Sequence, residues 1–450
     1  MYSNADTIVA LATPMARAAL GTIRMSGPLA LTIAIQALGK DLPTRRAEHR
    51  EWQGGDGKVL DDGVAILYRS PKSYTGEDLL EFTAHGNPLI LESLVNDCLA
   101  RGCRLAEPGE FTKRAFLNEK LSIVAAEGIG DLIAAQSEAA LAAARRQLAG
   151  GMGQEIDAII DRLLRIIAHL EAYIDFPEED LPPEDRAGPR QELQDLCQNV
   201  QRMIDTNKYR ELLSEGVQVV IVGPPNAGKS SLLNCLYGAE RVIVSDQPGT
   251  TRDAVGEFIM IGPYRIQIMD TAGIRGKAKA LEARGIGMTL SQLIGADIVL
   301  LVVDHRQPFP LPAALEILLE DPRTILIHNK IDLPATSPQE PLTLQIPQLK
   351  ISIHSRQGID DLRSTIEHHI THQILGNASD RVLYNQRHCR FLREALHHLN
   401  SALSQLRHAP EPELIVSDLW LGLDALSCIV GAIDNEAMLD ALFETFCIGK

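Results

Sequence analysis

The chain is poor in three things: paired cysteine, long apolar runs and positive charge. Its seven cysteines are odd in number, and none stands in C-x-x-C spacing. That argues for reduced thiols and against both a disulfide framework and a zinc knuckle. No run approaches the ~20 apolar residues that span a bilayer. The start, Met1-Tyr2-Ser3-Asn4-Ala5-Asp6, carries no basic region ahead of an apolar core, so a cytoplasmic protein is expected. A formal charge of -16 opposes broad nucleic-acid binding, which needs an electropositive face. Any contact with RNA must then use a local basic patch or a partner. What remains, 450 residues with 45% hydrophobic and 23% charged content, is ordinary globular stock for two or three domains.

Against that background Gly223-Pro224-Pro225-Asn226-Ala227-Gly228-Lys229-Ser230 stands out, because it satisfies G-x-x-x-x-G-K-[ST] between a strand and a helix. Val217 to Val222 is a short β-branched run, and Ser231-Leu232-Leu233-Asn234 continues with helical spacing. Such a loop wraps a polyphosphate with its N–H groups, with Lys229 on the β/γ oxygens and Ser230 on Mg²⁺. Asp270-Thr271-Ala272-Gly273 follows the strand-like Ile266 to Met269, which sets Asp270 near the metal and Gly273 near a γ-phosphate. Asn329-Lys330-Ile331-Asp332 follows another strand-like run, Thr324 to His328. Asp332 suits guanine, whose N1–H and amine donate to a carboxylate, whereas adenine would leave it unpaired. In this order the three motifs predict a guanine-nucleotide site. Ser245-Asp246-Gln247-Pro248-Gly249-Thr250-Thr251-Arg252-Asp253 suits a switch loop in which Thr251 reaches Mg²⁺ and the γ-phosphate. Where Ras-type enzymes place a water-orienting Gln, this chain has Ile274, so hydrolysis needs other assistance.

Composition changes along the chain in step with these motifs. Residues 1–118 mix short β-type runs with Pro and Gly turns, an α+β domain. Residues 119–213 turn helical, with one Ala-rich run from Ala125 to Leu148 and an antiparallel partner from Ile156 to Ile174. The acidic, Pro-rich Asp175 to Pro183 reads as a solvated connector. Residues 214–374 form a doubly wound α/β GTPase module, and helical spacing returns over 375–450. The predicted fold is therefore an α+β N-terminal domain and a discontinuous all-α domain with a Ras-like α/β P-loop domain inserted in it.

These motifs, with Thr75-Gly76-Glu77-Asp78, Pro108-Gly109-Glu110-Phe111, Arg114-Ala115-Phe116-Leu117-Asn118, Ile174-Asp175-Phe176-Pro177 and the terminal Phe446-Cys447-Ile448-Gly449-Lys450, make the whole chain resemble the MnmE (TrmE) family of tRNA modification GTPases. The resemblance implies a K⁺-stimulated GTPase that dimerises through its N-terminal domain. With an FAD-dependent MnmG-type flavoprotein, in a heterotetramer, it would install an aminomethyl-type group at C5 of the wobble uridine, position 34, of certain tRNAs. It implies K⁺ held by Asn226, Ser245, Gln247 and Thr250, a water-orienting Glu282, and nucleotide contacts that include Ser231 and the Ser352-Ile353-His354 segment, where the family usually reads Ser-Ala-Lys. It also implies a tetrahydrofolate one-carbon donor contacting Arg24, Glu81, Lys120 and Lys450, with Arg and Lys toward its anionic tail and Glu81 toward its pterin N–H groups. Met15-Ala16-Arg17-Ala18-Ala19 departs from the family's Pro-Gly-Arg-Gly-Gly at the loop after Thr13-Pro14. Cys447 reads either as a reactive thiol beside the folate or as a small buried apolar residue. The alternative function, an Era- or Der-like regulatory or ribosome-assembly GTPase, lacks its KH-type module or second P-loop here; an ATPase is opposed by Asp332.

Overall fold

A computed structural model of the chain describes residues 6–39, 42–175, 187–238, 258–270, 295–306, 313–334, 344–376, 382–408 and 412–431, with residues 293, 439, 443, 446 and 449. The chain divides into two compact units. One comprises Met1–Gly130, Gly153–Arg162 and Leu423–Lys450; the other comprises Asp131–Met152 and Leu163–Gly422.

The first unit is built on a six-stranded sheet of β1 (Thr7–Leu11), β2 (Leu20–Ser26), β3 (Glu48–Gln53), β4 (Val59–Tyr68), β5 (Leu79–His85) and β6 (Cys103–Leu105), in the order β3-β4-β5-β2-β1-β6. Every neighbouring pair is antiparallel except β1 and β6. Helices α1 (Ala30–Leu38) and α2 (Pro88–Ala100) follow strands, and the Asn87 side chain caps α2 by accepting the Leu89 N–H at 3.0 Å. Side-chain alternation sends Val9, Ile23, Met25, Leu80 and Phe82 into a core shared with buried Trp52 and the two helices. Arg24 and Glu81, directly opposed in the β2–β5 register, belong to the other face.

That other face carries an ionic network in which three of the sequence motifs meet. Glu110 and Arg114, on α3 (Glu110–Leu117), are 2% and 5% exposed. Glu110 Oε1 accepts from Arg104 at 2.7 Å and from Arg114 at 3.0 Å. Arg114 also pairs with Asp6 at 2.7 Å and Glu77 at 3.2 Å. Glu77 takes the Ser26 hydroxyl at 2.7 Å, and the Asn118 amide donates to the Thr75 carbonyl at 2.6 Å. Burial by itself would push the Glu110 carboxyl up. Hydrogen bonds from Arg104, the Glu107 N–H and Arg114 outweigh it and hold the group below the usual carboxylate range. Residues of three sequence motifs therefore serve here to hold α3 to the sheet.

The run expected as one helix from Ala125 to Leu148 is two: α4 (Ile123–Ala134) ends before Ser137, whose hydroxyl accepts the Ala140 N–H at 3.1 Å and starts α5 (Glu138–Leu148). Helix α6 runs Gly151–Asp175, α7 Ala187–Asp205 and α8 Asn207–Glu215, and α7 packs along the later helix Gln386–His408, which Pro412–Val430 follows. Between these helical stretches lies a second sheet of β7 (Val217–Val222), β8 (Phe258–Ile261), β9 (Tyr264–Asp270), β10 (Ile298–Asp304), β11 (Thr324–Asn329) and β12 (Gln348–Lys350). Its order is β12-β11-β10-β7-β9-β8, parallel except for the β8 edge. Strands buried on both faces read as continuous apolar runs, as in Ile298 to Val303. The α+β, all-α and α/β parts thus follow the expected order, with the parallel sheet inserted between helical segments. Among the described residues no helix is long and apolar enough to cross a membrane.

Glu110→Gln is expected to destabilise the first unit by about 3–5 kcal/mol at pH 7, because buried Arg114 and half-buried Arg104 lose their shared carboxylate. The folded carboxyl titrates below its unfolded value, so its contribution is present above about pH 4.3 and fades as pH falls through the lower folded value. The gap between wild type and variant should therefore close in acid, which urea titrations followed by Trp52 fluorescence at pH 7 and pH 3.5 measure.

Candidate functional site

The carboxyl ends of β7, β10 and β11 lie side by side, and the chain leaves each through a chemically distinctive segment. After β7 the loop Gly223–Gly228 bends into α9 (Lys229–Tyr237). Two of its residues leave no room for a side chain. A Cβ on Gly223, at φ +148°, would lie 2.0 Å from the Val302 carbonyl; one on Gly228, at φ +102°, would lie 2.3 Å from the Asn329 amide nitrogen. No side chain caps α9, so its first-turn N–H groups are directed to whatever anion the loop encloses. Lys229 bends back over the loop and donates to the carbonyls of Gly223 and Pro224, each at 2.8 Å. Ser230 and Asn226 are exposed.

The segment after β11 grips this loop. The Asn329 amide donates to the Ala227 carbonyl at 2.9 Å, and its oxygen accepts the Ile353 N–H at 3.4 Å. Lys330, at φ +69°, donates to the Asn226 carbonyl and to Asp304 Oδ2, both at 2.7 Å. Asp332 lies exposed on the rim and accepts the Ser352 hydroxyl at 2.6 Å, and that bond holds its carboxyl below the usual range. Ser352 in turn accepts the Ser355 N–H at 3.1 Å, which fixes the Ser352-Ile353-His354 turn beneath Asp332. An ionised, oriented carboxylate on an exposed rim is an acceptor for a flat ligand with adjacent N–H donors.

Sequence reasoning missed Asp304 and Arg306. Asp304, 4% exposed at the end of β10, accepts from Arg306 through its backbone N–H at 3.0 Å, Nε at 3.2 Å and Nη2 at 2.9 Å. Arg306, with Lys330, holds this carboxyl far below the ordinary range. The available signal was positional: a charge closing the apolar run of β10, one strand from Asn329.

Asp270 ends β9 opposite Ile221, with its side chain outside the described residues. Ser245, Asp246, Gln247, Pro248, Gly249, Thr250, Thr251, Thr271, Ala272, Gly273, Ile274, Glu282, Cys447 and Lys450 also lie outside them. In the first unit Arg24 and Glu81 bond each other, with Nε and Nη2 donating to Oε1 at 2.9 and 2.7 Å. The Arg24 guanidinium lies 5.5 Å from the Tyr74 ring centre and 5.7 Å from that of Phe111, and Nη1 donates to the Gly449 carbonyl at 3.4 Å. Lys120 is exposed beside Gly76 and lines an open cavity of about 490 Å³ with Phe116, Leu121 and Val430. The divergent loop after Thr13-Pro14 is closed by the Ala18 N–H on the Gly86 carbonyl at 2.9 Å.

Two family models match the chain: the MnmE helical domain over residues 123–447 and the GTP-binding protein TrmE N-terminus over residues 7–120. The tRNA modification GTPase MnmE of Opitutus terrae is 45% identical over 451 residues, 99% of this chain and 99% of its own. That of Hydrogenovibrio crunogenus is 38% identical over 453 residues, covering all of both chains. Among solved structures, the G domain of the T. maritima FeoB iron transporter is 27% identical over 34% of this chain and 99% of its own, with a TM-score of 0.24.

Gly228→Ala is expected to push Asn329 off the Ala227 carbonyl. Gly150 isolates backbone strain from this clash, because it sits at φ +88° and a methyl group there would meet no atom within 4 Å. Gly150→Ala should cost about 1 kcal/mol and Gly228→Ala about 2–3 kcal/mol, as read from urea unfolding of the full chain.

Proposed function

The chain belongs to the MnmE family of tRNA modification GTPases, and from that premise we propose that it binds and hydrolyses GTP in the course of modifying the wobble uridine, position 34, of certain tRNAs. The observation that carries the nucleotide reading is the meeting of two chemistries at one sheet edge: a loop built to wrap phosphates, bonded through Asn329 and Lys330 to a strand end that displays Asp332. The distance between phosphate loop and base acceptor is thereby fixed by the fold. Lys229, on carbonyls of its own loop, exchanges those partners for β/γ-phosphate oxygens, and the N–H groups of Ala227, Gly228, Lys229, Ser230 and Ser231 line the enclosed anion. Asn329 keeps the loop closed, while Ser352, Ile353 and His354 support Asp332 from below.

The exposed Ser230 hydroxyl fits Mg²⁺, with Thr251 and Asp270 as the remaining protein groups. The exposed Asn226, on a bend at φ +61°, fits K⁺ together with Ser245, Gln247 and Thr250. When bound, these cations supply positive charge against the negative charge that develops on the transferred phosphoryl group. Glu282 orients the attacking water, a task for which Ile274 has no hydrogen-bonding group, and Gly249, Thr250 and Gly273 complete the enclosure.

For the carbon chemistry the reading assigns a tetrahydrofolate site to Arg24, Glu81, Lys120 and Lys450. The half-buried Arg24–Glu81 pair supports it, since the pair presents donors and acceptors and its guanidinium lies near the Tyr74 and Phe111 rings. A bound folate supplies the one-carbon unit. Residues 1–118 serve as the folate and dimerisation domain, 119–213 with 375–450 as the helical domain, and 214–374 as the GTPase domain. An MnmG-type flavoprotein brings FAD and completes the aminomethyl-type modification at uridine C5. A chain of charge -16 meets tRNA through a local basic patch or through that partner.

GTP is expected to bind at least a hundredfold better than ATP, and Asp332→Asn to shift preference toward xanthosine nucleotides, in competition assays with fluorescent nucleotides. Equal binding of GTP and ATP overturns the assignment. Removing Cys447 to Lys450 is expected to weaken 5-formyltetrahydrofolate binding at least tenfold in calorimetry while basal GTP hydrolysis persists; unchanged folate affinity in a folded truncation makes the terminal motif structural.

A further inference from the structure

We propose that Asp304 is a positioning residue that lengthens the residence of bound guanine nucleotide by clasping Lys330 against the phosphate loop. The inference rests on the guanine-nucleotide reading and assigns a role to a residue outside every motif that supports it.

The clasp is a short chain of contacts. Asp304 ends β10 directly beside Asn329 in the parallel register, and its carboxylate is buried. Oδ1 is occupied by the Arg306 N–H and Nε, and Oδ2 takes Arg306 Nη2 and Lys330 Nζ. Lys330 spends a second donor on the Asn226 carbonyl. Its backbone lies in the left-handed region, as does that of Asn226, and a side chain in such a conformation stays there because its surroundings over-determine it. Asn329 holds the next carbonyl of the loop, that of Ala227, so two successive loop carbonyls are tied to two successive residues of the β11 end. Without Asp304 the Lys330 ammonium, on a flexible four-carbon stem, is drawn toward water and leaves Asn226. A polyphosphate leaves a wrapped loop only as that loop opens. Loosening Asn226 therefore acts on dissociation more than on association.

The test is the dissociation rate of a fluorescent GDP analogue chased with excess GDP, measured on the full chain with Mg²⁺. Asp304→Asn is expected to raise the rate about tenfold, and Asp304→Ser, smaller and without an amide, by a similar factor should the first variant fail to fold. Lys330→Met is expected to raise it as well. The double variant Asp304→Asn/Lys330→Met should dissociate no faster than Lys330→Met alone, because both substitutions open the same clasp. Multiplicative rates in the double variant, or a lowered thermal midpoint with an unchanged rate, overturn the clasp and leave Asp304 a stabilising residue. A wild-type chain that binds no guanine nucleotide overturns the nucleotide reading itself, and the clasp with it.

Discussion

The contact on which the second unit depends is the approach of the Asn329 side chain to the backbone of the phosphate loop. Parallel strands fix it: β11 and β7 flank β10, so the chain ends of all three strands project to one edge. At that edge the Asn329 amide reaches across to Ala227, and only glycine at position 228 leaves space for it. Every other feature of the edge is referred to this distance. Lys330 and Asp332 follow Asn329 in sequence, so the placement of the amide also sets the placement of the ammonium and of the rim carboxylate.

The first unit obeys a different rule. Its sheet is mostly antiparallel and has two faces with unlike chemistry, one closed by α1 and α2 over an apolar core and the other sealed by charge. A charged layer of this kind gains little net stability over an apolar one, but loss of a buried central member such as Glu110 or Arg114 breaks several of its pairs at once. It also fixes register: Arg114 reaches residues of the N-terminus, of the loop before β5 and of its own helix, and only one seating of α3 satisfies all three.

Much of this was legible in the chain, and the boundary has a physical cause. The strand Val217 to Val222, the loop after it and the Asn329 to Asp332 segment were readable because periodicity, glycine placement and motif order are all local properties. The run from Ala125 to Leu148 was half legible, since its apolar spacing is continuous and only Ser137 betrays the break. The Asp304 to Lys330 bond was not readable, because it joins residues whose nearness is decided by strand order and register. Nor was the mutual pairing of Arg24 and Glu81, each of which by itself resembles a solvated surface charge; their opposition is a fact of the β2–β5 ladder.

The far carboxyl end of the chain completes the first unit, and that ordering bears on how the protein is made. A Cβ on Gly109, at φ +67°, would lie 2.7 Å from the Phe443 carbonyl, the Phe446 ring rests against Gly130, and the Gly449 backbone lies against Leu11 and under Arg24. More than three hundred residues separate Gly130 from Gly449. At a synthesis rate of roughly 5–20 residues per second, the early strands wait about 15–60 s for the segment that covers them. Through that interval Gly109 and Gly130, at the start of α3 and on α4, and Leu11 and Arg24 on the sheet lack these contacts while the second unit is being synthesised, so the first unit gains part of its packing only after the second has been made.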